Sequence, residues 1–447
     1  MPFRPSHPWI VRDSRGGKAR GRSCFFPTSS PRSGGKTAEL SPGKPMNPCP
    51  LGRTFWVLLL TLVLSVAAAW ARTTRRRTPS KPRDVVDTPS KRSVSRQKSR
   101  GRSKVAVAAR SSRGRHRRRY RRVWTTSPFL ADPTEGDHAG GEDPIVRQAS
   151  VDALGPLNGS IVVVNPNSGR ILAMVNQNLA LGHSYAPCST IKLPVALAAL
   201  HEGVLTKGTA VRLGRRSTMT LTEALAHSSN PFFDRVGRKL GFEKLSEYAH
   251  RFGFGERAGW QIPGEQVGTF PEEPPRIRSL GRMCSFGEEI SVTALQLAAF
   301  VSAVANGGTL YYLQHPRTEA EVESFQPHVK RVLDEVKDLL PVLREGMTAA
   351  VSYGTARGLD DPYDQVLGKT GTCSEGGTRL GWFASYETPN NPQLTVVVLL
   401  RGGRYTDGSW AAEIAGRVYR NLHERNYYAQ RGLTASRLGP PIGRLTR

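Results

Sequence analysis

Residues 72–122 hold 21 Lys or Arg against only Asp84 and Asp87, with almost no large aliphatic side chains. Such a stretch cannot bury enough apolar surface to offset the entropy lost on ordering, so 72–124 reads as a disordered basic arm. The first 54 residues are also basic, ten Lys or Arg against Asp13 and Glu39, and read as an extension within which Met46 is an alternative start. The whole chain is +28, so these two segments carry nearly all of the excess and the remainder is close to neutral. Residues 125–146 reverse the sign, with Asp132, Glu135, Asp137, Glu142 and Asp143 among Gly and Pro, and read as a flexible acidic linker. Folding is thereby confined to 147–430, followed by a basic tail at 431–447.

Between extension and arm, residues 55–71 (FWVLLLTLVLSVAAAWA) run for 17 residues without a charge. That is the short edge of what spans a bilayer and reads as a transmembrane anchor. Ala69-Trp70-Ala71 also fits a small-x-small cleavage site, so a cleaved signal peptide is the alternative. The Arg run after this segment opposes its export and the ten basic residues before it partly balance that, so the side on which the arm lies stays open; by charge it suits anionic wall polymers or lipid headgroups. Only Tyr120 and Trp124 interrupt it as aromatics, and no nucleic acid is expected beyond a membrane segment.

Within the foldable part, Ser189-Thr190-Ile191-Lys192 precedes Ser228-Ser229-Asn230 and Lys369-Thr370-Gly371-Thr372. S-x-x-K alone is weak, since it recurs at Ser33/Lys36, Ser41/Lys44 and Ser95/Lys98 in unpatterned basic sequence. Only the Ser189 copy lies where a strand pattern gives way to an apolar helix. Pro187 and Pro194 bracket that helix start, because proline is tolerated in the first turn. Ser189 thus has a backbone N–H without an intrahelical partner, free to donate to an oxyanion. Lys192, one turn on, is the candidate base, and a base it can only be if desolvation and a nearby cation, Lys369, depress its pKa. Ser228 can relay a proton and Asn230 can orient an amide. Lys369 with Thr370, Gly371 and Thr372 suits a terminal carboxylate on an exposed strand, the glycine letting substrate approach the backbone and the Thr372 N–H serving as second oxyanion donor. The combination is that of a serine acyltransferase needing no metal and no cofactor. His227 reads as structural.

Gly159–Val164 and 170–175 form a hairpin of β-branched strands, and 378–386 with 393–400 form a second. Between them lie helical patterns at 191–201, 221–226, 231–240, 245–252 and 294–305, and a last helix runs from about 410 to 427. Strands at both ends with helices between give an α/β protein of the α+β kind: an antiparallel sheet built from both ends of the domain, flanking helices and an inserted all-helical lobe. Cys188, Cys284 and Cys373 lie in this region, an odd number that gives no disulfide framework. Cys188 and Cys373 adjoin Ser189 and Thr372 and read as small buried thiols under the nucleophile, with a bridge between them as the alternative.

From these motifs, together with GSIVVVNPNSGRILAMV, LTEALAHSSNPFFDRVGRKLGFEKLSEYAHRFGFG, IPGEQVG, ISVTALQLAAFVSAVANGGTL and GKTGTCSEGG, the chain resembles the transpeptidase domain of penicillin-binding proteins, closest to the monofunctional class B kind. The resemblance implies the penicillin-binding/β-lactamase-like fold. It also implies D-Ala-D-Ala stem peptides of peptidoglycan as substrate, β-lactam antibiotics as ligands, and a bacterial inner-membrane protein with its catalytic domain on the periplasmic side. A carboxypeptidase shares these residues. Class B relatives carry a folded module where this chain has its arm, and Cys188 replaces a glycine often found before the nucleophile.

Two other readings stand beside this one. A serine β-lactamase needs a base for deacylation, but Glu265, Glu272 and Glu273 lack the Asn four residues on that class A enzymes use. The other is a non-catalytic protein that binds wall polymers through its arm while the catalytic fold serves as a β-lactam sensor, and the intact motif residues count against it.

Overall fold

In β1 (Gly159–Val164) every residue is buried, as is every residue of β2 (Ile171–Val175). Strands without a polar face must be covered on both sides, and alternation shows how. Val162 and Val164 pack into one core, Ile161 and Val163 into the other. The computed structural model describes residues 123–275, 279–359, 361–387 and 391–430. The N-terminal extension, the anchor segment, the basic arm up to residue 122 and the C-terminal tail lie outside them. Among the described residues no helix is long and apolar enough to cross a membrane.

The remaining strands are the ribbon β3 (Val211–Arg212) with β4 (Thr218–Met219), the ribbon β5 (Thr309–Tyr311) with β6 (Val329–Val332), and then β7 (Val366–Glu375), β8 (Thr378–Glu387) and β9 (Thr395–Gly402). The main sheet has the order β2-β1-β9-β8-β7, all antiparallel, so its strands do come from both ends of the domain. β7 is an edge strand. One face of the sheet is covered by α1 (Pro144–Leu154) and the C-terminal helix. The other carries the lobe formed by α2 (Lys192–His201), α3 (Leu221–Ala226), α4 (Asn230–Leu240), α5 (Phe242–Arg251), α6 (Leu280–Phe286), α7 (Ala294–Asn306) and α8 (Leu340–Ser352). The C-terminal helix is α9 (Gly408–Glu424).

α7 is the central post of the lobe. Every residue from Ala294 to Ala305 is buried, Thr293 and Gln296 form a capping box at its start, and Gly307 at φ 92° ends it. The expected helices shift by a few residues at their boundaries, while α1, α6 and α8 are new. For α8 the reason is local: it packs so closely on α3 that a Cβ on Gly346 would lie 2.4 Å from Leu225 Cδ1, and a glycine inside a helix weakens the helical signal.

Residues 125–146, expected to be a flexible linker, are instead held on the domain. Asp143 caps α1 by accepting from the Ile145 and Val146 N–H groups, with Pro144 in the first turn. Asp137 accepts from the N–H groups of Asn176 and Gln177 and pairs with Arg147 at 2.7 Å. Glu142 accepts from Met174 N–H, Gln177 Nε2 and His315 Nε2, and also pairs with Arg147. Local composition cannot separate a solvated carboxylate from one that anchors distant backbone.

Removing these carboxylates strands the partly buried Arg147, a loss of about 3–5 kcal/mol for a broken buried pair. A chain beginning at residue 147 is therefore expected to melt roughly 10 °C below one beginning at residue 123. Differential scanning calorimetry checks this, and equal melting temperatures would restore the linker reading.

Candidate active site

Ser189 sits in a 3-10 turn, Cys188–Ile191, that runs directly into α2 at Lys192. Cys188 before it has φ 54°, and Ser228 across the cleft has φ 53°. Left-handed backbone at residues other than glycine persists only where surroundings over-determine it. Both strained positions flank the same small space.

Into that space Lys192 projects, fully buried. Its Nζ lies 2.9 Å from Ser189 Oγ and 3.1 Å from Ser228 Oγ, and donates to Ser228 O at 2.7 Å and Asn230 Oδ1 at 2.6 Å. Asn230 is the first residue of α4, and Ser285 Oγ of α6 donates to its carbonyl at 3.0 Å. Lys369, also fully buried, donates to Ser228 Oγ at 2.9 Å and to Thr370 O at 2.9 Å. The structure thus gathers Ser189, Lys192, Ser228, Asn230 and Lys369 into one hydrogen-bonded network centred on two amines.

Burial without a carboxylate partner penalises both ammonium groups. Desolvation first, and the charge of Lys369 second, lower Lys192 from 10.5 to about 6. Desolvation alone lowers Lys369 to about 7. Lys192 gives up its proton first, so Lys369 titrates beside a neutral amine and carries the charge of the pair.

On β7 the alternation of side chains sorts the last motif. Lys369, Gly371 and Cys373 face the nucleophile turn. A Cβ on Gly371 would lie 3.0 Å from Pro187 O and 3.1 Å from Thr190 Cγ2, so it is the protein's own nucleophile segment that requires glycine there. Thr370 and Thr372 face the other way. Thr370 is 4% exposed and its hydroxyl meets that of Thr355 at 2.6 Å. Thr372, half-buried, accepts from Gly408 N–H at 2.8 Å and keeps its own hydrogen to donate. Of the two hydroxyls expected to meet a carboxylate, that of Thr372 is the accessible one.

Cys188 and Cys373 form a disulfide, against the expectation of buried thiols. The reason is the same alternation, which aims Cys373 at the residue before Ser189 and brings the two Cα atoms to 5.4 Å. Cys284, buried against Gly237, is the odd thiol that hid the pair in a simple count. Two further residues unseen in the sequence hold the turn. The Trp382 indole donates to Ala186 O at 3.0 Å, and Ala186 N–H donates to Glu375 at 3.3 Å. His227 is exposed and rests its ring against Tyr353. Glu265 is committed to its own loop, accepting from the Ala258 and Gly259 N–H groups.

The rate of penicillin acylation, limited by neutral Lys192, should rise about tenfold per pH unit below 6 and level above it. It should fall again above about 7 as Lys369 loses its charge, and a bound carboxylate should move that limb upward. Stopped-flow acylation between pH 4.5 and 9 measures the profile, and a flat one would contradict the pairing. Lys369→Arg should keep part of the rate and Lys192→Arg almost none, since a guanidinium does not give up its proton. Cys188→Ala/Cys373→Ala should slow acylation about tenfold or more while circular dichroism stays unchanged, because the turn loses its tie to β7. An unchanged rate would make the bridge irrelevant to the site.

Residues 159–420 match the family model described as the penicillin binding protein transpeptidase domain. Stage V sporulation protein D of Bacillus subtilis is 31% identical over 314 residues, 58% of this chain and 48% of that protein. Peptidoglycan D,D-transpeptidase MrdA of Acinetobacter baumannii is 24% identical over 365 residues, 64% of this chain and 54% of that protein. The chain spans about half the length of these curated relatives. Among solved structures, the transpeptidase domain of penicillin-binding protein 3 from Burkholderia pseudomallei superposes with a TM-score of 0.57 at 21% identity, covering 64% of this chain and 96% of that one. The D,D-transpeptidase domain of a peptidoglycan glycosyltransferase from Eggerthella lenta gives a TM-score of 0.53 at 22% identity, covering 64% and 82%. With the model match extending over more than half of its residues, the chain belongs to the penicillin-binding protein transpeptidase domain family.

Proposed function

We propose that this protein is a peptidoglycan D,D-transpeptidase that cross-links stem peptides through an acyl-enzyme on Ser189. The observation that carries the reading is a buried amine, Lys192 Nζ, 2.9 Å from Ser189 Oγ and lowered to about 6. At neutral pH such an amine is a base. Lys192 takes the Ser189 hydroxyl proton as Oγ attacks the penultimate D-Ala carbonyl, and the Ser189 and Thr372 N–H groups serve the oxyanion. The proton then passes through Ser228 to the departing D-Ala amine, leaving an ester on Ser189. The amine of a neighbouring stem attacks that ester, its proton returns by the same route, and Ser189 is restored. Lys369 and Thr372 receive the terminal carboxylate, with Thr370 and Gly371 fixing the strand beside it.

β7 is an edge strand, so an extended peptide can pair along its free side. In this reading 55–71 anchors the chain, the domain works outside the cytoplasm, and the basic arm adsorbs to anionic wall polymers or lipid headgroups in a salt-dependent way. A disulfide beside the nucleophile suits an oxidising compartment. Glu265, the nearest sequence candidate for a hydrolytic base, is held by backbone N–H groups instead, which argues against fast β-lactam hydrolysis.

Intact-mass spectrometry after penicillin treatment should give one penicilloyl adduct on the wild type and none on Ser189→Ala. General-base assistance is worth about 10² to 10⁴ in rate, so without it the adduct should last minutes or longer. An adduct on Ser189→Ala, or nitrocefin turnover above roughly one per second, would contradict the proposal.

A further inference from the structure

Ser228, Lys369 and Thr372 come from segments far apart in the chain, and one residue outside the three motifs ties their supports together. Thr355 lies in the loop that leaves α8. Its N–H donates at 3.0 Å to the carbonyl of Ala226, two residues before Ser228. Its hydroxyl meets that of Thr370, next to Lys369 on β7, at 2.6 Å. Its carbonyl accepts at 2.9 Å from Ser409 Oγ in the first turn of α9. Residues just past a helix end ordinarily satisfy the last carbonyls of their own helix. Gly354 and Ala356 do so here, donating to Ala349 O and Ala350 O, whereas all three polar groups of Thr355 are spent on other elements.

Two closed circuits result. The first runs from Ser228 back to Ala226, across to Thr355, through the paired hydroxyls to Thr370 and Lys369, and returns by Lys369 Nζ to Ser228 Oγ at 2.9 Å. The second runs from Thr355 through Ser409 to Gly408, whose N–H donates to Thr372 Oγ1 at 2.8 Å, and returns along β7 to Thr370. Neither has slack. A Cβ on Gly354 would lie 2.2 Å from Ala226 O, and one on Gly408 would lie 2.9 Å from Thr370 Cβ. Ser228, at φ 53°, keeps its backbone only because its surroundings fix it, and Thr355 is the corner common to both circuits. Thr370 is 4% exposed, so without the Thr355 hydroxyl its own would have no partner among the described residues.

We infer that Thr355 is a positioning residue for acyl transfer, holding Ser228 against Lys369 at the spacing that lets Ser228 hand a proton to the departing amine. The inference rests on the proposed function, in which that proton passes through Ser228. A joint that served the fold alone would cost stability and leave the chemistry untouched. A joint that sets Ser228 must show in the step Ser228 serves, and substrates can isolate that step: a departing amine needs a proton, whereas a thiolate leaves without one.

Single-turnover acylation of the full-length protein by penicillin and by the thioester benzoyl-D-alanylthioglycolate, each read for limiting rate and half-saturation, tests it. Thr355→Val keeps the shape and loses only the hydroxyl. It should lower the limiting rate with penicillin about tenfold or more, as expected when a reacting group is misplaced, with little change in half-saturation and a much smaller loss on the thioester. Thr355→Ser, which keeps the hydroxyl, should restore most of the penicillin rate. In a Ser228→Ala background Thr355→Val should add little, because both act on one step. Should Thr355→Val fail to give a native circular dichroism spectrum, Thr370→Val, which breaks the same hydroxyl pair from the other side, must show the same split between substrates. A wild-type penicillin rate in Thr355→Val, equal losses on the two substrates, or a loss that adds in full to that of Ser228→Ala would overturn the inference, whatever the melting temperature. Wild-type protein that forms no adduct at Ser189 would instead overturn the proposed function.

Discussion

Two lysines share one dry space with no carboxylate between them, and the chemistry follows from that constraint. Water would hold both charged; burial cannot, so the pair sheds a proton, and Lys192 sheds it because Lys369 stands beside it. The arrangement has a cost. An unfolded lysine keeps its charge up to about 10.5, whereas folded Lys192 keeps it only up to about 6. Across that window the unfolded chain binds more protons, so folding stability rises with pH and is penalised in full below about 6. A terminal carboxylate entering beside Lys369 would hold that group charged and thereby keep Lys192 neutral at the moment a base is needed.

The rest of the domain keeps this pair in place. Strained backbone at Cys188 and Ser228, each worth about 1–3 kcal/mol, is borne by specific ties. The disulfide joins the nucleophile turn to β7, Trp382 holds Ala186, and Ser285 holds the carbonyl of Asn230. α4 and α6 fix the Ser228–Asn230 loop from below, while the sheet behind β7 is sealed on both faces by valines that contribute about 2 kcal/mol each. Gly371 allows the turn and the strand to touch directly. Neither element could be moved alone without opening the network.

The network residues are legible in sequence because each motif is contiguous and carries its own local cue, a proline-bracketed helix start for Ser189 and Lys192 and a strand for Lys369. Burial of both amines is not legible, since it depends on helices far away in the chain. The disulfide is not legible, since an odd cysteine count gives no framework and small thiols are commonly buried, and only the facing of Cys373 toward Cys188 decides it. Thr370 looks equivalent to Thr372 in the motif and shares its face of β7, yet Thr370 alone is covered by Thr355. The acidic segment misleads for a physical reason: Asp137 and Glu142 satisfy backbone N–H groups some 30 to 40 residues on, a long-range pairing no window of composition reports.

What all of this turns on is the charge of one side chain at neutral pH. Nitrogen-15 NMR of selectively labelled lysine Nζ, with Lys192 assigned through Lys192→Arg, reads that charge directly in the Ser189→Ala protein. A midpoint near 6 that moves upward in Lys369→Met is the predicted result. A midpoint above about 9, close to an ordinary lysine, would contradict the account whatever the kinetics showed.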